Sequence, residues 1–138
     1  MSSSFAGPLP HLAGEPPVRG AIHLPHEPLS AGVARAHVRE LLAHWDDDVR
    51  VQDALLLTTE LVSNAIIHGW PSLRVRAWLL SDHLLRVEVY DASPGMPRLR
   101  AAWAGGGRGL TILDETADAW GVEPEPSGGK TVWFELLA

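Results

Sequence analysis

The sequence predicts an α+β layered domain, with helices laid against a sheet, and three observations carry that expectation. Residues 48–68 keep the apolar spacing of one long helix. Two strand-like runs, 73–80 and 84–91, are separated only by Ser81-Asp82-His83, the pattern of a hairpin. A last alternating run, 131–137, ends the chain after a turn rich in proline and glycine.

Taken in order, residues 18–24 form an apolar run closed by Pro25 and Pro28, a first strand. Ser30 is the N-cap candidate of a first helix, in which Ala34, Val38, Leu41, Leu42 and Trp45 follow helical spacing. The triplet Asp46-Asp47-Asp48 suits the positive N-terminal end of the second helix better than a metal site. That helix runs to His68, where Gly69 and Pro71 stop it. In the run 84–91, Leu85, Val87 and Val89 share a face with Asp91, opposite Arg86, Glu88 and Tyr90. Residues 97–107 read as a loop ending in three glycines, and 108–118 as a helix carrying Leu110, Ile112, Leu113 and Ala117. A strand at 120–122, the turn EPEPSGG and a strand alternating Val132, Phe134, Leu136 against Thr131, Trp133, Glu135 complete the order.

A chain of 138 residues, 46% hydrophobic, is long enough for one domain with its own core. Residues 18–138 are assigned to it, and 1–17, rich in Ser, Pro and Gly, read as a flexible tail. The absence of cysteine excludes disulfides, thiolate metal sites and a Cys nucleophile. A net charge of −6 argues against binding nucleic-acid backbone or an anionic membrane. With no signal-peptide pattern and no apolar run near the roughly 20 residues of a membrane span, a cytoplasmic protein is expected. The six tryptophans are expected mostly in the core.

Two phosphate-binding patterns fail. GGKT at 128–131 looks like the end of a P-loop, but the first glycine of that motif falls on Pro124, and a strand follows where a helix is needed. GGGRG at 105–109 does not complete the dinucleotide fingerprint, because position 110 is leucine. His23 and His26 lack the further ligands of a zinc site. The feature that needs explaining is a polar stripe on an apolar helix: Glu60, Asn64 and His68 recur every four residues and so share one face. Asp91, a carboxylate ending the apolar face of a strand, is the second.

TELVSNAIIHG (59–69), DASPGMP (91–97), GGGRGLTILD (105–114) and GGKTVWF (128–134) stand in the order of the nucleotide-binding segments of one superfamily. On them the chain resembles the GHKL domain of gyrase, heat-shock chaperones, histidine kinases and mismatch-repair ATPases. More narrowly it is similar to the bacterial anti-sigma-factor serine/threonine kinases. The resemblance covers about residues 25–137 and implies a two-layer α/β sandwich of the Bergerat type, a mixed, mostly antiparallel sheet with helices on one face. It implies ATP and Mg²⁺ as cofactors, with Asn64 as the metal ligand, a role its hard amide oxygen suits. Asp91 would accept the adenine amino group, with Thr131 helping directly or through water; a buried carboxylate needs such a donor. Gly105, Gly107, Gly109 and Leu110 would hold phosphate on backbone N–H groups at the end of a short lid, while Arg108 either touches phosphate or faces water. His68 either lines the ribose side or meets the helix dipole. Ser93 stands where the family has a glycine, beside Gly95 in the base pocket, so the fit there differs.

Glu60, one turn before Asn64, would orient or deprotonate the attacking hydroxyl. The implied activity is an ATP-dependent serine/threonine protein kinase acting as an anti-sigma factor in a partner-switching circuit. Its partners would be a sigma factor and an anti-sigma-factor antagonist of the STAS type, with a homodimer as one assembly. The alternatives are a catalytically silent ATP-binding module that sequesters such a partner, and the catalytic half of a split histidine kinase.

Overall fold

The computed structural model describes residues 21–25, 27–68, 72–92 and 109–138. In them the chain runs β1 (Ala21–Pro25), α1 (Leu29–Leu41), α2 (Asp48–His68), β2 (Ser72–Ser81), β3 (Leu84–Asp91), α3 (Gly109–Thr116), β4 (Ala119–Pro124) and β5 (Lys130–Leu137). The strands form one sheet in the order β1-β2-β3-β5-β4, so the domain is α+β as expected. Every described pairing is antiparallel, in keeping with a mostly antiparallel sheet. The connections explain why. Two helices between β1 and β2 return the chain reversed, and β2–β3 and β4–β5 are hairpins. β3 and β4 run the same way, with α3 among the described residues between them, but β5 inserts between the two strands, so no parallel pair forms among the described residues.

Period-two alternation gives the sheet an apolar face. Val75 and Ala77 of β2, Leu85, Val87 and Val89 of β3, and Val132, Phe134 and Leu136 of β5 all enter one core. The helices supply the other layer through Ala34, Val38 and Leu41 of α1, Leu57, Leu61, Val62 and Ala65 of α2, and Leu113 of α3. α2 lies centrally, packed on α1, α3, β2, β3 and β5. Its start is capped by Asp47, whose Oδ1 accepts the Arg50 backbone N–H at 3.1 Å. The acidic triplet is thus a helix start, as the sequence indicates. Ser30, in contrast, caps nothing: the residue at the N-cap of α1 is Pro28, and the Ser30 hydroxyl donates to the Pro25 carbonyl at 2.6 Å. Proline favours the start of a helix, where its missing N–H costs no bond, so the helix begins one residue before the serine that could have capped it.

The other face of the sheet is not a plain solvated surface. Cross-strand partners Trp78, Arg86 and Glu135 form one row, and Arg76, Glu88 and Trp133 the next. Arg86 is 3% exposed. Its guanidinium donates to Glu88 Oε2 and Glu135 Oε2, each at 2.8 Å, and stacks over the Trp133 ring at 4.2 Å. Two carboxylates and a ring face are what a buried cation requires. Gly121, opposite Trp133, leaves room for the indole, since a Cβ there would lie 2.8–2.9 Å from the ring. Trp78 and Trp133 are therefore buried outside the main core, whereas Trp45 joins it and donates to the Asp82 carbonyl at 2.9 Å.

Candidate functional site

The stripe on α2 survives folding as a half-buried edge. Leu57, Leu61 and Ala65 face the core, while Glu60 and Asn64 keep partial exposure. Neither has a hydrogen-bonding or ionic partner among the described residues. Beside them the Thr59 hydroxyl bonds the Leu55 carbonyl at 2.8 Å and accepts from Arg35 of α1 at 3.2 Å, which ties this part of α2 to its neighbour. Two side chains one turn apart, one a carboxylate and one an amide, thus present three acceptor oxygens and one NH2 donor to whatever lies outside them.

Asp91 ends β3 on the helix-facing side and is 3% exposed. It does not stand alone. Lys130, its direct partner across the β3–β5 ladder, is 5% exposed and places its ammonium 2.9 Å from each carboxylate oxygen. The turn before β5 fixes this pairing. Gly128 and Gly129 both have positive φ (102° and 82°), and a Cβ at Gly129 would collide with the Asp91 carbonyl oxygen. The GGKT segment is therefore a hairpin turn opening a strand, consistent with the rejection of a P-loop. The sequence carries a signal for Lys130 that its motif alone does not show. Lys130 precedes Val132, Phe134 and Leu136 in step, so its parity places it on the same face as Asp91.

Thr131 is not brought to Asp91. It pairs with Tyr90, one position along, and so points to the opposite side of the sheet, where its hydroxyl donates to Glu125 Oε2 at 2.7 Å. There it helps line a groove of about 220 Å³ with Arg74, Arg76, Arg86, Glu88 and Tyr90. The expectation that Thr131 helps Asp91 directly is corrected on this geometry, because neighbouring residues of a strand face opposite ways. Arg74 stacks on Tyr90 at 5.0 Å, and its Nε is buried without a hydrogen-bond partner among the described residues.

Gly109 and Leu110 open α3, which packs on α2 and β4, so the segment expected to end the lid meets the helix that carries Asn64. Ser93, Gly95, Gly105, Gly107 and Arg108 lie outside the described residues, as do His26, the loop 97–107 and the tail 1–17. α2 thus packs on β3, β5 and α3, and the end of β3 is paired with the start of β5. Among the described residues no three His, Cys, Asp or Glu side chains form a metal cluster, and no helix is long and apolar enough to cross a membrane. No protein-family model matches the chain, and no curated protein matches it.

Proposed function

We propose that the chain is an ATP-dependent serine/threonine protein kinase of the GHKL type, acting as an anti-sigma factor on an antagonist protein. One observation carries this reading. Glu60 and Asn64 sit without a partner among the described residues on the edge of α2, the helix on which β3, β5 and α3, the bearers of the other three motifs, all pack. Such an edge suits phosphate and metal better than it suits a core. Mg²⁺ bound by the Asn64 amide oxygen would take its remaining ligands from phosphates and water and offset the charge on the transferring group. Asp91, buried and acceptor-only, would take the purine end.

In the reaction, the acceptor hydroxyl oxygen bonds the γ-phosphorus while the bond to the bridging oxygen breaks and ADP leaves with that electron pair. Glu60 takes the hydroxyl proton. The product is a phosphorylated antagonist carrying about −1.5 to −2 added charges, enough to turn docking into repulsion. A sequestering module that binds ATP without phosphotransfer is the second reading.

A single-turnover assay with radiolabelled ATP, Mg²⁺ and an antagonist protein decides between them. Wild type should phosphorylate the antagonist, and Glu60→Ala should slow transfer by about 10²–10⁴ with ATP binding retained, the range for losing general-base help. Equal rates would remove the base role from Glu60. No transfer by a wild type that binds ATP would leave the sequestering module.

A further inference from the structure

The groove on the outer face of the sheet contains one cation that has no counter-ion among the described residues, Arg74. We propose that this groove is a binding site for a small, singly charged carboxylic acid, held by Arg74 together with Arg76. It lies on the side of the sheet away from α2, so it is separate from the proposed nucleotide site and does not depend on that reading.

The strand pairings lay out the groove row by row. Arg74 of β2, Tyr90 of β3, Thr131 of β5 and Glu123 of β4 are successive cross-strand partners, and Arg76 and Glu88 begin the next row. The β2 side is therefore basic and the β4 side acidic. The other ionic groups of the lining are engaged. Arg86 holds Glu88 and Glu135 at 2.8 Å, Arg76 lies 3.6 Å from Glu88, and Glu125 accepts from the Thr131 hydroxyl at 2.7 Å. Glu123 is engaged as well. Arg74 is the exception. Its guanidinium lies over the Tyr90 ring at 5.0 Å but has neither a carboxylate nor a hydrogen-bond acceptor among the described residues. Its Nε is buried, so the terminal nitrogens are what a ligand would meet.

Stacking on a ring restricts the plane of the guanidinium, and a planar fork of donors matches the two oxygens of a carboxylate. Arg76, two residues along the same strand face and so about 7 Å away, is 46% exposed and adds a second guanidinium. The volume of about 220 Å³ is many times what one water fills, which leaves room for the body of a small acid. The same lining disfavours a dianion. Glu88, Glu123 and Glu125 equal the three arginines in number, so a second negative charge on the ligand would be repelled.

The test is a nitrogen–proton NMR titration of the full chain with benzoate, phenyl phosphate and benzamide, ring compounds carrying one, two and no charges at neutral pH. In wild type, benzoate should shift the amides of Arg74, Tyr90 and Thr131 and saturate with a Kd on the order of 1 mM. The amides of Glu60 and Asn64 should stay in place. Phenyl phosphate and benzamide should each bind at least about tenfold more weakly. Arg74→Gln should weaken benzoate by about tenfold or more, and Arg74→Lys, which keeps the charge without the fork, should recover part of that loss. Resonances far from the groove report whether each variant is folded, and if Arg74→Gln is not, Arg74→Lys and the wild-type series decide. Benzoate shifts that never saturate, or that centre on α2, would overturn the site. Equal binding of benzamide would show recognition of the ring alone, and tighter binding of phenyl phosphate would overturn the choice of a single charge. Unchanged benzoate affinity in a folded Arg74→Gln would remove Arg74 from the site and overturn the proposal.

Discussion

Arg86 shows how much a single side chain on the outer face can matter. Its charge is removed from water and compensated by Glu88 and Glu135 at 2.8 Å. Breaking a buried pair by deleting one partner costs about 3–5 kcal/mol, because the other charge stays buried. Arg86→Met should therefore lower the unfolding free energy by about that much, read from urea denaturation. The double change Arg86→Met with Glu135→Leu should recover most of the loss, since apolar replacement of a whole buried pair is often neutral. A double mutant as unstable as the single would show that packing on Trp133, not charge, is the contribution of Arg86. None of this is legible in the sequence. Arg86, Glu88 and Tyr90 alternate with valines and leucine as any solvated strand face does, and Glu135, the compensating carboxylate, lies 49 residues away. Asp91 is the opposite case. Its parity with Leu85, Val87 and Val89 foretells burial from the sequence alone, whereas its partner Lys130 becomes visible only with the β3–β5 register.

α2 is the element in which local signals and fold agree best. Apolar spacing, the acidic start and the Gly69–Pro71 stop bound it at Asp48–His68, the observed limits. Its N-terminus is held twice. Asp47 caps it, and Arg50 bonds Asp53, Asp118 and the Leu137 carbonyl, fastening the helix start to the far end of β5. Asp47→Ala should cost about 1 kcal/mol, the usual value of a lost N-cap, measured by thermal or urea unfolding. A change well below that would mean that the Arg50 clamp alone sets the helix start. α1 is less legible at its beginning. Proline and serine both signal a helix start, and here the Ser30 hydroxyl is engaged locally with the Pro25 carbonyl, five residues earlier, while Pro28 takes the cap position. The sheet was legible strand by strand but not as a whole. Strand limits within a few residues follow from alternation, while the insertion of β5 between β3 and β4 is a long-range pairing that no local pattern encodes.

On the scale of the whole molecule, two layers enclose a single apolar core, and Asp91 with Lys130 is the ion pair buried at its helix-facing side, on strands that pack against α2. Glu60, Asn64 and Asp91 were readable because each breaks an apolar pattern. Thr131 was misplaced because motif order says which strand a residue is on, but not which side of it the side chain takes. The proposal that this part of the molecule is a nucleotide site is open to one direct measurement, the heat of binding ATP to the full chain with and without Mg²⁺. Micromolar-range affinity with Mg²⁺, on the order of −8 kcal/mol, is expected, with marked weakening when Mg²⁺ is withheld or Asn64 is changed to alanine. No heat at millimolar ATP with Mg²⁺, from protein shown to be folded, would contradict it.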